Sequence, residues 1–245
     1  MGFNNRVAVV TGGAGGVGRV LCRQLLEKGV AVALADISQE KADAALETIQ
    51  CPGKIKAYGM DICDMQSVKA ASERILTDFG KVDILVNNAG AWPRLLFTDS
   101  TEEHWMKVID INLNGTYRVT RAFIQAMLDN GYGRIINLGS IAGEVGLPKF
   151  CAYSAAKAGV IIMTKTLAME FAKKNITVNC VSPGMINGDD GDPKPCPGTW
   201  LGRNGRRDEI ARLITFLADD DSGYITGVDY TIDGGRILGP RFADV

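Results

Sequence analysis

The chain has 245 residues, with 27 Lys and Arg against 28 Asp and Glu, and a single histidine, His104. Balanced charge without a basic stripe argues against nucleic acid or an anionic membrane surface as a partner. No apolar run approaches the ~20 residues of a spanning helix, so no membrane partner is expected.

The six cysteines form no Cys-x-x-Cys pair, and no ligand cluster surrounds His104, so no metal site is expected. The first strand signal follows closely on Met1, leaving no room for a signal peptide, and a cytoplasmic protein with reduced thiols is expected.

Strand and helix signals then alternate without a linker. Arg6 to Val10 is a β-branched run of the kind that forms a fully buried strand. A glycine-rich turn follows, and Val17 to Lys28 has helical spacing at Val17, Val20, Leu21 and Leu25 before a stop at Gly29. Val30 to Ala35 is a second strand ending at Asp36. A polar helix runs from about Gln39 to Ile49, and Lys54 to Met60 is a third strand. Asp64 is placed to cap a helix that ends at Gly80. Val82 to Val86 is a fourth strand, leading into Asn87-Asn88-Ala89-Gly90. A long helix is expected from about Thr101 to Asp129. Arg134 to Leu138 is the fifth strand, ending at Ser140, and a helix runs from about Ala152 to Lys173. Ile176 to Val181 is the sixth strand. A helix from about Asp208 to Ala218 and a strand from Val228 to Ile232 complete the order. This alternation predicts a single α/β domain over residues 1–245. Its expected form is a Rossmann-like doubly wound parallel sheet of about seven strands in three α/β/α layers. Ligands of such a sheet bind beyond the strand C-termini, where Asp36, Asp61, Asn87, Ser140 and Pro183 all stand.

Two motifs carry chemistry. Thr11 to Gly18 is a turn whose Gly12, Gly16 and Gly18 let backbone approach a pyrophosphate, which rests on the N-terminus of the helix beginning near Val17. Asp36, at the end of the second strand, accepts hydrogen bonds from ribose hydroxyls and repels a 2′-phosphate, which argues for NAD over NADP. Gly15 offers no basic side chain to such a phosphate. Asp36 also suits the N-cap of the next helix, and the two roles are compatible. The second motif is Tyr153 and Lys157, four residues apart on one helix face. A nearby cation favours phenolate, so Lys157 is expected to pull the phenol down towards working pH. Such a pair alone is commonly an interfacial aromatic and a surface cation.

Together with Asn87-Asn88-Ala89-Gly90, Pro183-Gly184 and Asp233-Gly234-Gly235, these motifs resemble those of the short-chain dehydrogenase/reductase family, ordinary single-domain branch, over nearly the whole chain. The resemblance implies hydride transfer between a nicotinamide and a carbonyl carbon, catalysed by Asn112, Ser140, Tyr153 and Lys157. Tyr153 is then the acid/base and Ser140 orients the carbonyl. Lys157 tunes Tyr153 and binds ribose, and Asn112 supports a water leading to Lys157. Read without the family, Asn112 is a polar residue bending a helix. The resemblance further implies cofactor contacts from Gly12, Gly16, Val17, Gly18, Asp36, Asp61, Ile62, Asn88, Ala89, Gly90, Tyr153, Lys157, Pro183, Gly184 and Ile186. Asn187 stands where the family usually has a threonine. A homotetramer, built through the long helices, is the implied assembly.

For substrate binding, Ser140, Trp92, Phe150 and Met185 are expected. Further walls come from Leu95, Phe97, Glu144, Val145, Leu147 and Trp200, with Arg94 and Lys149 at the rim. This set favours a neutral, hydrophobic ketone or secondary alcohol. The alternatives are a 3-oxoacyl-[acyl-carrier-protein] reductase and a non-catalytic NAD-sensing scaffold. Arg134 matches one carrier-facing arginine of such reductases, whereas Met169 stands where the second is expected. Residues 187–198, rich in proline, glycine and aspartate, are expected to form a short, mobile lid.

Overall fold

The computed structural model describes residues 3, 5–187 and 193–239. Seven parallel strands form one sheet in the order β3-β2-β1-β4-β5-β6-β7. They are β1 (Val7–Thr11), β2 (Ala31–Asp36), β3 (Ile55–Gly59), β4 (Ile84–Asn87), β5 (Gly133–Leu138), β6 (Ile176–Pro183) and β7 (Asp229–Ile232). The helices are α1 (Gly16–Glu27), α2 (Gln39–Thr48), α3 (Met65–Phe79), α4 (Glu102–Ile109), α5 (Gly115–Asn130), α6 (Ile141–Val145), α7 (Cys151–Phe171) and α8 (Arg207–Ala218). Among the described residues, no helix is long and apolar enough to cross a membrane, and no cluster of His, Cys, Asp and Glu is arranged to hold a metal.

The continuous apolar run of β1 follows from burial on both faces. Ala8 and Val10 join Leu21, Leu25, Leu34 and Ile214 in one core beneath α1, α2 and α8. Val9 joins Tyr58, Ile75, Phe123, Met127 and Val178 in the other, beneath α3, α5 and α7. A strand covered on both sides has no polar face to write into the sequence. The strand order reverses between β1 and β4. The crevice outside their carboxyl ends is the topological switch point, and the loops after β1, β4, β5 and β6 gather there.

Two local expectations are corrected and one element is added. The predicted helix from Thr101 to Asp129 is interrupted by a π turn, Asp110–Asn114, between α4 and α5. Asn112 causes the interruption: its Nδ2 donates to Val108 O at 2.9 Å and to Ala91 O at 2.8 Å, competing with the helix ladder. Asp36 does not cap α2; Ser38 does, accepting from Lys41 N at 3.3 Å. The sequence also gave no sign of α6, a single turn capped by Ser140.

Of the expected lid, residues 188–192 lie outside the described residues. Past them the chain is tied down without a helix. Pro195 bridges Arg203, Cys196 N donates to Gly202 O at 2.8 Å, and buried Thr199 donates to Arg203 O at 2.9 Å.

Candidate active site

The glycine turn is held by the loop after β4. Thr11 Oγ1 accepts from Asn88 N at 3.1 Å and Ala89 N at 3.2 Å, while Asn88 Nδ2 donates to Thr11 O and Gly12 O, both at 3.0 Å. Gly12 has φ +62°, and a Cβ there would stand 2.8 Å from Ala89 Cα. A Cβ on Gly18 would overlap Gly12 O. Both positions therefore require glycine, one for its backbone conformation and one for close packing of α1 on the turn. α1 begins at Gly16 with Gly15 as an N-cap that lends no side chain, and Val17 follows in the first turn. Backbone amides at such a start are anion donors.

Asp36 lies beside this turn. Its Oδ2 accepts from Ala14 N at 3.0 Å and its Oδ1 from Ile37 N at 2.9 Å, which fixes the carboxylate at the end of β2. Asp61, beyond β3, accepts from Cys63 N at 2.9 Å. The Ile62 side chain packs on Gly115, where a Cβ would come within 2.7 Å of it. On the far side of the crevice, Gly184 N donates to Ile232 O at 3.0 Å after Pro183 closes β6. Ile186 packs into the core beneath α8 and bridges Gly205, so its side chain is turned inward.

β5, α6 and α7 assemble the reactive groups. Ser140 Oγ accepts from Ala142 N at 3.1 Å, and its hydroxyl favours the Tyr153 phenolate. Tyr153 lies in the first turn of α7, its ring 5.9 Å from that of Phe150. Lys157, one turn on, is almost fully buried, and its Nζ donates to Leu138 O at 2.6 Å. Burial pulls its ammonium down to about 8. Gly90 sits between these groups and the π turn. A Cβ on it would stand 2.8 Å from Asn112 Oδ1 and 3.7 Å from Lys157 Nζ. Asn112, Ser140, Tyr153 and Lys157 are therefore brought to one place.

The tuning of Tyr153 differs from expectation. Burial pushes the phenol above its ordinary value, and the Ser140 hydroxyl opposes that rise. Lys157 does not lower it here, because its ammonium is drawn onto the Leu138 carbonyl, 5.7 Å from the ring centroid. A stability prediction follows for the cofactor-free protein. Lys157 titrates near 8 in the fold against 10.5 when unperturbed, so the unfolded chain binds more protons between those values. The burial penalty is present in full below pH 8 and is relieved as pH rises. The unfolding free energy of the wild type should therefore climb relative to Lys157→Met between pH 8 and pH 10. Parallel urea titration curves for the two proteins across that range would refute the assignment.

A buried amide chain escaped the sequence reading, which had assigned Asn87 to the cofactor side. Asn87 and Asn137 are register partners in β4 and β5. Asn87 Nδ2 donates to Asn137 Oδ1 at 2.8 Å and to Thr120 Oγ1 at 2.9 Å, and Asn137 Nδ2 donates to Thr164 Oγ1 at 2.9 Å. The chain ties both central strands to α5, which follows the π turn of Asn112, and to α7, which carries Tyr153 and Lys157. Its only sequence signal is an asparagine within each apolar strand.

Leu95, Phe97, His104, Phe150 and Tyr153 line a cleft beside the reactive groups. Trp92 and Met185, expected as substrate contacts, stay outside its wall and are 67% and 45% exposed. Glu144 accepts from Thr231 Oγ1 at 2.9 Å, and burial, then Asp229 and Asp233, raise its pKa. Arg134 is only 3% exposed, and its Nη1 donates to Gly133 O at 2.9 Å and Asn175 O at 3.2 Å. It is therefore not a surface arginine that a carrier protein could reach, as the sequence comparison had suggested.

A dinucleotide turn at the switch point of a parallel sheet, with a serine, a tyrosine and a buried lysine brought together at the ends of β5 and α7, defines a nicotinamide-dependent oxidoreductase. Residues 6–193 match the short chain dehydrogenase family, and the chain belongs to it. It is 37% identical to a 3-oxoacyl-[acyl-carrier-protein] reductase of Thermotoga maritima, over 97% of this chain and 100% of that protein. It is 38% identical to the (2S)-[(R)-hydroxy(phenyl)methyl]succinyl-CoA dehydrogenase subunit BbsD of Thauera aromatica, over 97% of this chain and 99% of the relative. An acetoacetyl-CoA reductase of Rhizobium meliloti is 39% identical, over 95% and 98%.

Proposed function

We propose that the protein interconverts a 3-oxoacyl thioester and the 3-hydroxyacyl thioester, using NAD(H). The observation that carries the reaction type is Tyr153 at the start of α7 with buried Lys157 one turn on, its Nζ 5.7 Å from the ring centroid, and the Ser140 hydroxyl acting on the phenol. The thioester class is supported by what the names of the relatives share: each acts on an oxo or hydroxy group of an acyl thioester. This departs from the free hydrophobic ketone that the apolar wall alone favours. Within the thioesters, the burial of Arg134 speaks for coenzyme A over a carrier protein.

The glycines and Asp36 fit a dinucleotide: space at Gly12 and Gly18, an uncapped helix start, and a fixed carboxylate at the end of β2. The bound cofactor supplies the hydride. Tyr153, kept protonated by burial, gives its proton to the carbonyl oxygen in reduction and takes it back in oxidation. Ser140 donates to the same oxygen, a role its contact with the phenol already aligns. Asn112 fixes the loop at Ala91 and holds Gly90 against Lys157, so proton exchange with Tyr153 has a short route through buried polar groups. We further propose a homotetramer in the cytoplasm, by likeness to the family.

The test is an NADH absorbance assay on acetoacetyl-CoA, acetoacetyl-carrier protein and a panel of free aromatic and aliphatic ketones. The expected result is a kcat/KM highest for the CoA thioester. Higher kcat/KM on a free ketone would return the protein to the general ketone reductases.

A further inference from the structure

The cleft beside Tyr153 is apolar along its wall and cationic at its mouth. Leu95, Phe97, Val108 and Phe150 form the wall, and among the described residues no aspartate or glutamate lines it. Lys149 lines the cleft as well, and the guanidinium of Arg94 stands over the Phe150 ring, its Cζ 5.5 Å from the centroid. Both cations are exposed. Their segments are tied together, because Leu95 N donates to Lys149 O at 2.9 Å. The loop after β4 thus brings one charge to the mouth, and the turn before α7 brings the other.

Among the described residues, neither Arg94 nor Lys149 is in an ion pair with a carboxylate. Arg94 has a partner in the Phe150 ring, but a cation–π contact leaves the net charge in place and the guanidinium edge open to an acceptor. Lys149 also holds φ +70°, in the left-handed region that favours glycine, so its side chain is kept there against the preference of the backbone. An outlier of this kind beside a reactive group points to a use for the residue.

Distance decides which anion these cations suit. The Phe150 ring lies between Arg94 and the phenol, 5.9 Å from the Tyr153 ring. The cations are therefore one aromatic ring removed from the group that meets the carbonyl oxygen. The phosphates of coenzyme A are separated from the thioester by the whole pantetheine arm, whereas the far end of a short acyl chain reaches this mouth along the apolar wall. A carboxylate at that end matches an arginine fork and a lysine ammonium in charge and geometry.

We propose that Arg94 and Lys149 select acyl groups that end in a free carboxylate, so that the substrate is a 3-oxo or 3-hydroxy monothioester of a dicarboxylic acid. The inference rests on the thioester reading above and narrows it. The apolar wall then holds the carbon chain between the oxo group and the carboxylate.

The experiment compares kcat/KM for 3-oxoadipyl and 3-oxohexanoyl thioesters, each carried on coenzyme A and on N-acetylcysteamine, which has no phosphate. The two acyl chains are equal in length and differ at the far end, a carboxylate against a methyl. The readout is the ratio between them in the wild type, Arg94→Gln, Lys149→Gln, Lys149→Arg and the double variant R94Q/K149Q. The wild type should prefer the 3-oxoadipyl group roughly tenfold on either carrier, through a lower KM. Each glutamine variant should lose part of that preference and the double variant all of it, while K149R, which keeps the charge, should retain it. Added NaCl should shrink the wild-type preference. A wild type that prefers 3-oxohexanoyl, or a double variant that keeps the full ratio, would overturn the proposal. A loss in the double variant that falls equally on both acyl chains with coenzyme A and vanishes with N-acetylcysteamine would overturn it in favour of phosphate recognition. An equal loss for both chains on both carriers would show a displaced Phe150 and overturn it too. Should the double variant fail to fold, the wild-type ratio and its salt dependence decide: no preference, or one that salt does not change, refutes the proposal. A wild type that reduces free ketones but no thioester would instead sink the thioester reading, and this inference with it.

Discussion

Replacing Tyr153 with phenylalanine should lower kcat/KM on the best substrate by ~10²–10⁴-fold, the usual loss when general acid/base catalysis is removed. The substitution keeps the ring that packs on Phe150 and removes the one hydroxyl that meets Ser140. NADH affinity, followed by fluorescence, should stay close to the wild-type value. The sign of the pH dependence is also set. Burial raises the phenol above its ordinary 10.0, so it is protonated throughout the neutral range. Ketone reduction consumes that proton, so its rate should hold level through neutral pH and fall only as pH approaches the raised value. Alcohol oxidation needs the phenolate and should rise over the same interval. The phenylalanine variant should lose both slopes. Full turnover by the variant, or reduction that accelerates with pH, would rule out Tyr153 as the acid.

Ser140 is a poorer probe, and the structure shows why. Its oxygen both touches the phenol and caps α6, and loss of a cap typically costs ~0.5–2 kcal/mol. A Ser140→Ala variant would therefore mix a chemical loss with a displaced α6, and Gly143 of that helix lies close against the backbone at Lys157.

The layers of the fold were legible because burial writes period and run length into sequence. The β-branched run Arg6 to Val10 reads as a doubly covered strand, and the structure has one at Val7–Thr11; the i, i+4 spacing of Tyr153 and Lys157 places both on one helix face. Features that depend on docking between distant elements were not legible. Lys157 reaches Leu138 O only because α7 crosses the end of β5, so its distance from the phenol could not be read from spacing. Asn87 and Asn137 find each other through strand register. Arg207 meets Gly16 through the packing of α8 on α1. Asn112 was partly legible. Its side chain interrupts the helix, the polar, helix-bending reading of the residue. Its amide nitrogen takes the Val108 carbonyl while its oxygen accepts from Ala91 N at 3.2 Å.

Asp36 should set the choice of cofactor, and the structure separates its two contributions. As a carboxylate it repels a 2′-phosphate; as an acceptor it braces the glycine turn through Ala14 N at 3.0 Å. Asp36→Asn removes the charge and keeps one acceptor oxygen for Ala14. Asp36→Ala removes both. Hydrogen bonds to a charged group are worth ~1.5–3 kcal/mol, or roughly 10- to 100-fold. The ratio of kcat/KM for NADH over NADPH should therefore favour NADH in the wild type and fall by about that factor in D36N. The fall should come from a weaker KM for NADH together with a stronger one for NADPH. D36A should show the same shift in ratio, with a further loss for both cofactors because the turn loses its brace. That common loss should appear equally in ADP-ribose affinity, which is blind to the 2′-phosphate. A wild type that prefers NADPH would refute the charge argument. A ratio unchanged in D36N but altered in D36A would leave Asp36 as a brace of the turn alone, and selectivity would then have to come from a residue outside β2.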